Sequence, residues 1–585
     1  MKLLKAFHAK GLRDVVLCPG SRSGPLALAA GALANGELLK LQNSIDERSA
    51  AFFALGRSSS QGVAPAVITT SGTAVANLLP AAVEADRSCQ PLLLLTADRP
   101  NRLKDCGANQ TVNQEDFLRS VCRGFFSGPP EGAHFLSEEA LDSLVNEAWE
   151  NAHCLPGPVH INFPFEEPLH ASRVQQVKIF SGWTPTSDRG DFNSFGEGNV
   201  LLSKKTSRSF PALDPSRPGL IVAGPWQGLN QNLSGFKNAL SRWQSISGWP
   251  IFADPLSGVS FDQQGLIHSW ELLIPFVFNL YDFQIQILRL GPMPASRNLE
   301  RWLSEVDSKQ VLITEGNFRN LDPLGLSSQW DGGLLQWVEL IEKSNQIDFV
   351  QNQNHLFMKD FGSLDLVAQD WLDDQLPLKG PVNEPSLARW LPRLLPKGFS
   401  VMLAASSPVR DWIKFAGKGS QNRRCFGFRG ASGIDGTLSL ALGLCAEERI
   451  FLVTGDLALL HDTNGWLMTN AEDHFLIIFL IDNRGGGIFD QLQLETDPRS
   501  DFHLLFAMPQ EVDHALIASA HSIPSREVSC LEDLNSSLDW AFAQKSNVLL
   551  RASTCRETDA VLRRNLAKGL VQFLEKIPKD SLSDL

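Results

Sequence analysis

The 585-residue chain has nine cysteines but no C-x-x-C pair. Their odd number and wide spacing argue against a disulfide framework or a structural zinc site. No run reaches 18 apolar residues. The nearest, FLIIFLI at 475–481, has the length of a strand, so no membrane span is expected. The N-terminus, MKLLKAFHAKGLRDVVL, carries charges every few residues and lacks a long apolar h-region. That is unlike a signal peptide and points to a cytoplasmic protein. Basic charge is also short: 52 Lys and Arg stand against 65 Asp and Glu, a net charge of −13. Such a chain has no general field for nucleic acid, although it can hold a local basic pocket.

What is present is apolar side chain, 43% of residues against 20% charged. That supplies several cores and excludes intrinsic disorder, and the length alone suggests about four units. The first part alternates short apolar runs with helical patterns: VVLC then PLALAAGAL, LLKLQNSI then DERSAAFFALG, APAVITT then SGTAVANLLPAAVEA, PLLLLTA ending at Asp98, and GPVHINFP. Strand–turn–helix repetition predicts βαβ units around a parallel sheet, with ligands at the carboxyl ends of the strands. A stretch rich in Ser, Gly, Pro and Asp at 176–216 reads as a linker. A second α/β block runs over 217–343, an irregular stretch over 344–385 reads as another linker, and a third block over 386–585 contains SVMLAAS, RIFLVTGD, FLIIFLIDN and NVLLRAS. The expected organisation is three α/β domains with mainly parallel sheets, the first spanning 1–175.

The third block holds the most informative pair. RIFLVTGD is a strand ending at Gly455 and Asp456. HFLIIFLIDNRGGGIF is a second strand ending at Asn483, 27 residues after Asp456. Glycine permits close approach of a diphosphate, while Asp and Asn supply hard oxygen ligands for Mg²⁺; a backbone carbonyl near Gly485 could add a third. A strand-end aspartate taken alone is more often a helix N-cap.

The pair resembles the signature of the thiamine diphosphate (ThDP) enzymes, Gly-Asp-Gly followed after some 25 to 30 residues by Asn, with Leu457 replacing the last glycine here. The three-block layout is similar to that family's pyrimidine-binding, middle and diphosphate-binding domains. The resemblance implies a carboxylate in the first block that bonds the aminopyrimidine ring and helps the cofactor to lose its thiazolium proton; Glu47, after a strand and at a helix start in IDERSAAFFALG, matches it. Without the other motifs Glu47 would simply complement a helix dipole.

Eight ordered motifs, among them LCPGSRSGPLALA, LTADRP, GANQTVNQ and FRGASGIDGTLS, narrow the resemblance to one group of carboligases within the family. It implies decarboxylation of 2-oxoglutarate and 1,4-addition of the succinyl carbanion equivalent to isochorismate, in menaquinone or phylloquinone biosynthesis. The alternative is another ThDP-dependent 2-oxoacid decarboxylase or acetolactate-type synthase. Implied cofactors are ThDP and Mg²⁺ or Mn²⁺, the metal held by Asp456, Asn483 and Gly485. The implied assembly is a homodimer or dimer of dimers, with cofactor between the first block of one subunit and the third block of another.

Both substrates are dianions, and arginine grips carboxylates bidentately. The resemblance places Ser21, Arg22, Arg99, Asn109 and Gln114 on the first block's substrate loops, with Gln114 and Arg410 as catalytic candidates beside Glu47. It makes Ser406 and Arg410 a pair facing the cofactor-bound substrate and Arg429 a further pocket cation. It also makes Ile434 the wedge that bends ThDP, and sets Ile488, Phe489 and Leu492 as pocket walls, Ile488 also against the cofactor. Where the family often has a Lys-Arg pair in the middle domain, this chain has Arg297 followed by Asn298. Arg297 can supply one cation, and Arg289 is a possible substitute for the other. The His461-Asp462 pair lacks the extra histidines of a metallophosphohydrolase.

Overall fold

The computed structural model describes residues 1–181, 210–277, 285–344, 354–445, 447–469, 475–492 and 501–577. They divide into two compact units, Met1–Phe210 and Pro211–Leu585. The first carries one sheet and the second carries two, and every strand pairing in all three sheets is parallel. Three parallel α/β sheets are the expected fold class.

The first sheet comprises β1 (Asp14–Leu17), β2 (Lys40–Asn43), β3 (Ala66–Thr69), β4 (Leu92–Asp98), β5 (Gly124–Ser127) and β6 (Pro158–Pro164), in the order β2-β1-β3-β4-β6-β5. The central strands β1, β3, β4 and β6 are buried along their whole length. Helices on both faces exclude water from such a sheet, so its strands read as apolar runs rather than alternations. Chain order reverses between β1 and β3, so the loops after those strands diverge and leave a crevice at their carboxyl ends.

The second unit's first sheet has β7 (Gly219–Ala223), β8 (Ile251–Ala253), β9 (Ile285–Leu290), β10 (Ser308–Ile313) and β11 (Ser327–Trp330), ordered β11-β10-β9-β7-β8. Its switch, between β7 and β9, is closed by backbone. A Cβ on Gly224 would lie 1.6 Å from the Pro292 carbonyl oxygen. The other sheet has β12 (Phe399–Leu403), β13 (Cys425–Gly427), β14 (Arg449–Gly455), β15 (Leu476–Asp482), β16 (Ser525–Glu527) and β17 (Val548–Ser553), ordered β13-β12-β14-β15-β17-β16. It reverses between β12 and β14, the strands that lead into Ser406 and Asp456.

One segment differs from expectation. Within the stretch 344–385, read as irregular, Asn354–Gln375 is a helix. Its Phe361, Leu364, Ala368 and Leu372 recur every three or four residues and join one core with Leu566, Leu570 and Leu574 of the helix Arg556–Leu574. The period was obscured because polar residues between them are buried and paired. Asp365 accepts the backbone N–H groups of His268 at 3.0 Å and Ser269 at 2.7 Å, and Gln369 accepts from Arg389 at 2.7 Å. Similarly, Arg173–Ser181 is helical at the start of the stretch 176–216; residues 182–209 of that stretch lie outside the described residues.

Candidate active site

At the end of β14 the chain turns directly into the helix Asp456–His461. Asp456 is 3% exposed, and burial raises its carboxyl pKa to about 6 against the bonds that favour its charged form. Its Oδ2 accepts the Gly485 N–H at 2.7 Å. Gly485 sits at φ 126°, and a Cβ there would meet the Ala507 carbonyl oxygen at 2.1 Å, so only glycine fits. At the end of β15, Asn483 donates Nδ2 to Glu384 Oε1 at 2.7 Å, while its buried Oδ1 has no hydrogen-bond partner. A cavity of about 820 Å³ lies beside Asn483, with Arg484, His503 and Arg556 on its wall.

This arrangement fits a divalent cation with a diphosphate. One buried carboxylate without a cation in contact and one amide oxygen without a hydrogen bond, at the ends of adjacent strands, are hard ligands suited to a divalent metal. No group of three or more His, Cys, Asp or Glu among the described residues forms an alternative metal centre. Asp462 is fully buried and accepts the N–H of Ser439 at 2.7 Å and its hydroxyl at 3.1 Å, a structural cap.

Three arginines converge in the same unit. Burial, followed by the charges of Arg429 and Arg297, pushes the Arg410 pKa down, so these cations are neighbours. Arg410 donates to the Ser406 carbonyl at 2.7 Å. Ser406 precedes the helix Ser407–Phe415 with φ 75° and ψ −129°, a strained backbone for a residue with a Cβ. Arg429 has a buried Nε without a hydrogen-bond partner, and Arg297 is exposed at the start of the helix Arg297–Glu305. The sequence reading passed over their counter-charge, Asp254, which follows β8 and is 1% exposed. Burial raises its pKa against the opposing charges of Arg429 and Arg410. A strand-end aspartate in ADPLSG was the available signal.

Asn298 has a different task. Its Nδ2 donates to Glu271 Oε1 at 3.2 Å, and the Ser296 hydroxyl also donates to that buried carboxylate. Arg289 is no substitute cation. It is 2% exposed and paired with Asp322 at 2.6 Å inside the second sheet's core. Ile434 is half-buried and its carbonyl accepts the Thr437 hydroxyl at 2.8 Å. Ile488, Phe489 and Leu492 lie half-buried in the loop after Asn483.

The first unit gathers its own set after β1, β2, β3 and β4. Asp46, not Glu47, caps the helix Glu47–Gln61, accepting from Arg48 N at 2.8 Å and Ser49 N at 3.2 Å. Glu47 is half-buried and does not serve as the cap. Its charge reaches the Cys18 thiol at the end of β1, whose pKa burial, then Glu47 and Asp46, drive upward. Arg22 donates to the Phe165 carbonyl at 2.8 Å and has a buried Nε without a partner. Arg99 donates to Ser71 Oγ and, at 2.8 Å, to the Gln110 carbonyl. Burial and then the charge of Arg22 lower the pKa of Arg99, which places the two cations together. Gln114 is fully buried. Its Oε1 accepts from Gly72 N at 2.9 Å, and Nε2 donates to the Ala97 carbonyl and to Asn162 Oδ1. Ser21 and Asn109 are exposed.

Residues 2–117 match the thiamine pyrophosphate enzyme N-terminal TPP binding domain, and 412–552 match the thiamine pyrophosphate enzyme C-terminal TPP binding domain. Fold and site thus define a ThDP enzyme. Proteins from Prochlorococcus marinus strains MIT 9313 and MIT 9303 are 54% and 55% identical, each over 98% of this chain and 100% of their own length. One from Synechococcus sp. strain CC9311 is 54% identical over 97% of this chain and 99% of its own. All three are named 2-succinyl-5-enolpyruvyl-6-hydroxy-3-cyclohexene-1-carboxylate synthase, and the chain belongs to that family.

Proposed function

We propose that this chain decarboxylates 2-oxoglutarate and adds the resulting four-carbon unit to isochorismate in a 1,4 sense, giving the product in its relatives' name and CO₂. The observation that carries the reading is the buried Asp456–Asn483 pair, with a free amide oxygen, in a unit that also gathers Arg297, Arg410 and Arg429.

When bound, ThDP supplies the electron sink for decarboxylation and carbon–carbon bond formation, and Mg²⁺ neutralises its diphosphate. Asp456 Oδ, Asn483 Oδ1 and the Gly485 carbonyl are the oxygens that would hold the metal, with Gly455 leaving room for the diphosphate. The Glu47 carboxyl would exchange a proton with the aminopyrimidine ring nitrogen, a task for a carboxylate partly withdrawn from water. Arg410, Arg429 and Arg297 would orient the dianionic substrates and neutralise their charge, with Ser406 beside Arg410. Ser21, Arg22, Arg99 and Asn109 would serve the same substrates from the first unit. A catalytic part for Gln114 requires exchanging its present bonds; as it stands it holds the Gly72 loop. Ile434 would press against the cofactor, and Ile488, Phe489 and Leu492 would exclude water.

Among the described residues no helix is long and apolar enough to cross a membrane. A homodimer or dimer of dimers, in the cytoplasm, is the proposed state; the association fits Leu504, Leu505, Met508 and Leu516, which are all more than half exposed. Light scattering checks it: a fully active monomer would contradict it. The activity test mixes protein, Mg²⁺, ThDP, 2-oxoglutarate and isochorismate and follows loss of isochorismate absorbance. No ThDP-dependent loss, or a preference for pyruvate over 2-oxoglutarate, would overturn the reading.

A further inference from the structure

Asn483 can offer a hard cation only its amide oxygen, because the amide nitrogen carries two hydrogens and repels a positive charge. Glu384 opens the helix Glu384–Leu394 and is 2% exposed. One carboxylate oxygen takes Asn483 Nδ2 at 2.7 Å, and the other takes Arg563 Nη2 at 2.5 Å. Arg563 in turn donates Nε to Asp411 Oδ1 at 2.8 Å and Nη2 to Asp411 Oδ2. The Glu384 backbone N–H is held by Asp559 Oδ2 at 3.0 Å. Gly487 keeps the amide's space open, since a Cβ there would lie 2.7 Å from Asn483 Nδ2.

Both carboxylate oxygens are therefore engaged, one by Asn483 and one by Arg563, and the residue's backbone is tied to Asp559. Reversing the amide would bring its oxygen against an acceptor in a buried setting, where an unmet bond costs about 1–3 kcal/mol. Resting on the reading that Asp456 and Asn483 hold the metal, we infer that Glu384 is a positioning residue that turns Asn483 Oδ1 towards the divalent cation, and that the Arg563–Asp411 pair holds Glu384 in place. Because Asp411 adjoins Arg410 on one helix, the same buried chain links the metal end of the site to its substrate end.

The test uses the full-length protein with ThDP and Mn²⁺ alone as the probe, bound Mn²⁺ being read by electron paramagnetic resonance. Glu384→Gln removes the acceptor-only face, and Mn²⁺ affinity is expected to fall about 10–100-fold, as for other residues that orient a ligand from behind. Asn483→Asp alone sets two carboxylates against each other and also weakens binding. Combining Glu384→Gln with Asn483→Asp restores a donor–acceptor pair with the roles exchanged. The introduced amide then donates to the introduced carboxylate and leaves one carboxylate oxygen for the metal, so the double variant recovers most of the lost affinity. A merely structural role would not be rescued by this exchange. Wild-type affinity in Glu384→Gln, or a double variant no better than either single one, overturns the inference. Should Glu384→Gln not fold, Asp411→Asn decides, because it reaches the amide only through Arg563: a weaker Mn²⁺ affinity supports the inference and an unchanged one overturns it. Asp456→Asn separates the two claims. If it leaves Mn²⁺ binding intact, the metal reading itself fails.

Discussion

Asp456 at the end of β14 and Gly485 just past the end of β15 are joined by a 2.7 Å hydrogen bond from the glycine N–H to the carboxylate. This bond ties two separate strand ends together. It exists because Gly485 adopts φ 126° against the Ala507 carbonyl, a place no side chain can enter.

Gly485→Ala should therefore cost about 1–3 kcal/mol of stability through backbone strain alone, and more through the clash with the Ala507 carbonyl. It should also shrink the thermal shift produced by Mg²⁺ with ThDP. Differential scanning fluorimetry with and without cofactor measures both, and a normal cofactor-induced shift would show that the loop adapts.

Replacing Glu47 with Gln should lower turnover by about 10²-fold or more, the usual scale for a lost proton-transfer group. The melting temperature should hardly move, because Asp46 caps the helix. Asp46→Ala gives the opposite pattern for stability, a loss of about 1 kcal/mol. Steady-state kinetics beside thermal melts separates the two neighbours.

Ser406 combines a strained backbone with a hydroxyl, and two substitutions divide them. Ser406→Gly relieves the strain and should be neutral or stabilising by about 1 kcal/mol. Ser406→Ala keeps the strain. If the hydroxyl serves the substrate, both variants lose activity to a similar degree; retained activity in either would remove Ser406 from the substrate site.

Arg410 and Arg429 share their surroundings with Asp254, so their charges are arranged rather than solvated. Lysine at either position keeps the charge but not the planar fork. Each Arg→Lys change should raise KM for a dianionic substrate by roughly 10–100-fold, equivalent to about 1.5–3 kcal/mol for a charged hydrogen-bond pair. An unchanged KM for both 2-oxoglutarate and isochorismate would contradict the assignment.

Two buried groups, one in each unit, respond to pH in opposite senses. In the first, burial, then the charge of Arg119, lowers the pKa of His160 to about 4, and its Nε2 lies 2.8 Å from the Thr96 hydroxyl. The unfolded chain binds that proton more tightly, so the contribution is present above pH 6.5 and lost as pH falls towards 4, about 3 kcal/mol in all. In the second unit, burial raises Glu271 to about 6. Here the folded chain holds the proton, so stability declines as pH rises from 4.5 to 6, by about 2 kcal/mol. His160→Asn should flatten the first dependence and Glu271→Gln the second in denaturant titrations at several pH values.

The strands most legible in the sequence and those that were missed differ in burial, although the exposed edge strand β2 was found in LLKLQNSI. VVLC, APAVITT, PLLLLTA, RIFLVTG and FLIIFLID are interior strands, covered on both faces and flanked by neighbours, so apolar residues fill them. The missed ones, β5, β11, β13 and β16, each lie at a sheet edge. Three of them carry no fully buried residue, and β13 is only three residues long. The helix Asn354–Gln375 was missed for a related reason, since its buried face includes Asp365 and Gln369, whose partners are distant in the chain.

The sequence by itself determined the parallel α/β class, the family, and the residues at strand ends, because buried strands demand apolar runs and metal or proton chemistry demands particular side chains in the loops after them. Only the tertiary structure decided how those residues are used. It assigned helix capping to Asp46 instead of Glu47, paired Arg289 with Asp322, engaged Asn298 with Glu271, placed Asp254 among the arginines, and set Glu384 behind Asn483. Those outcomes depend on which polar groups meet when distant segments are buried together, and desolvation makes each such meeting obligatory without leaving a mark on the local pattern.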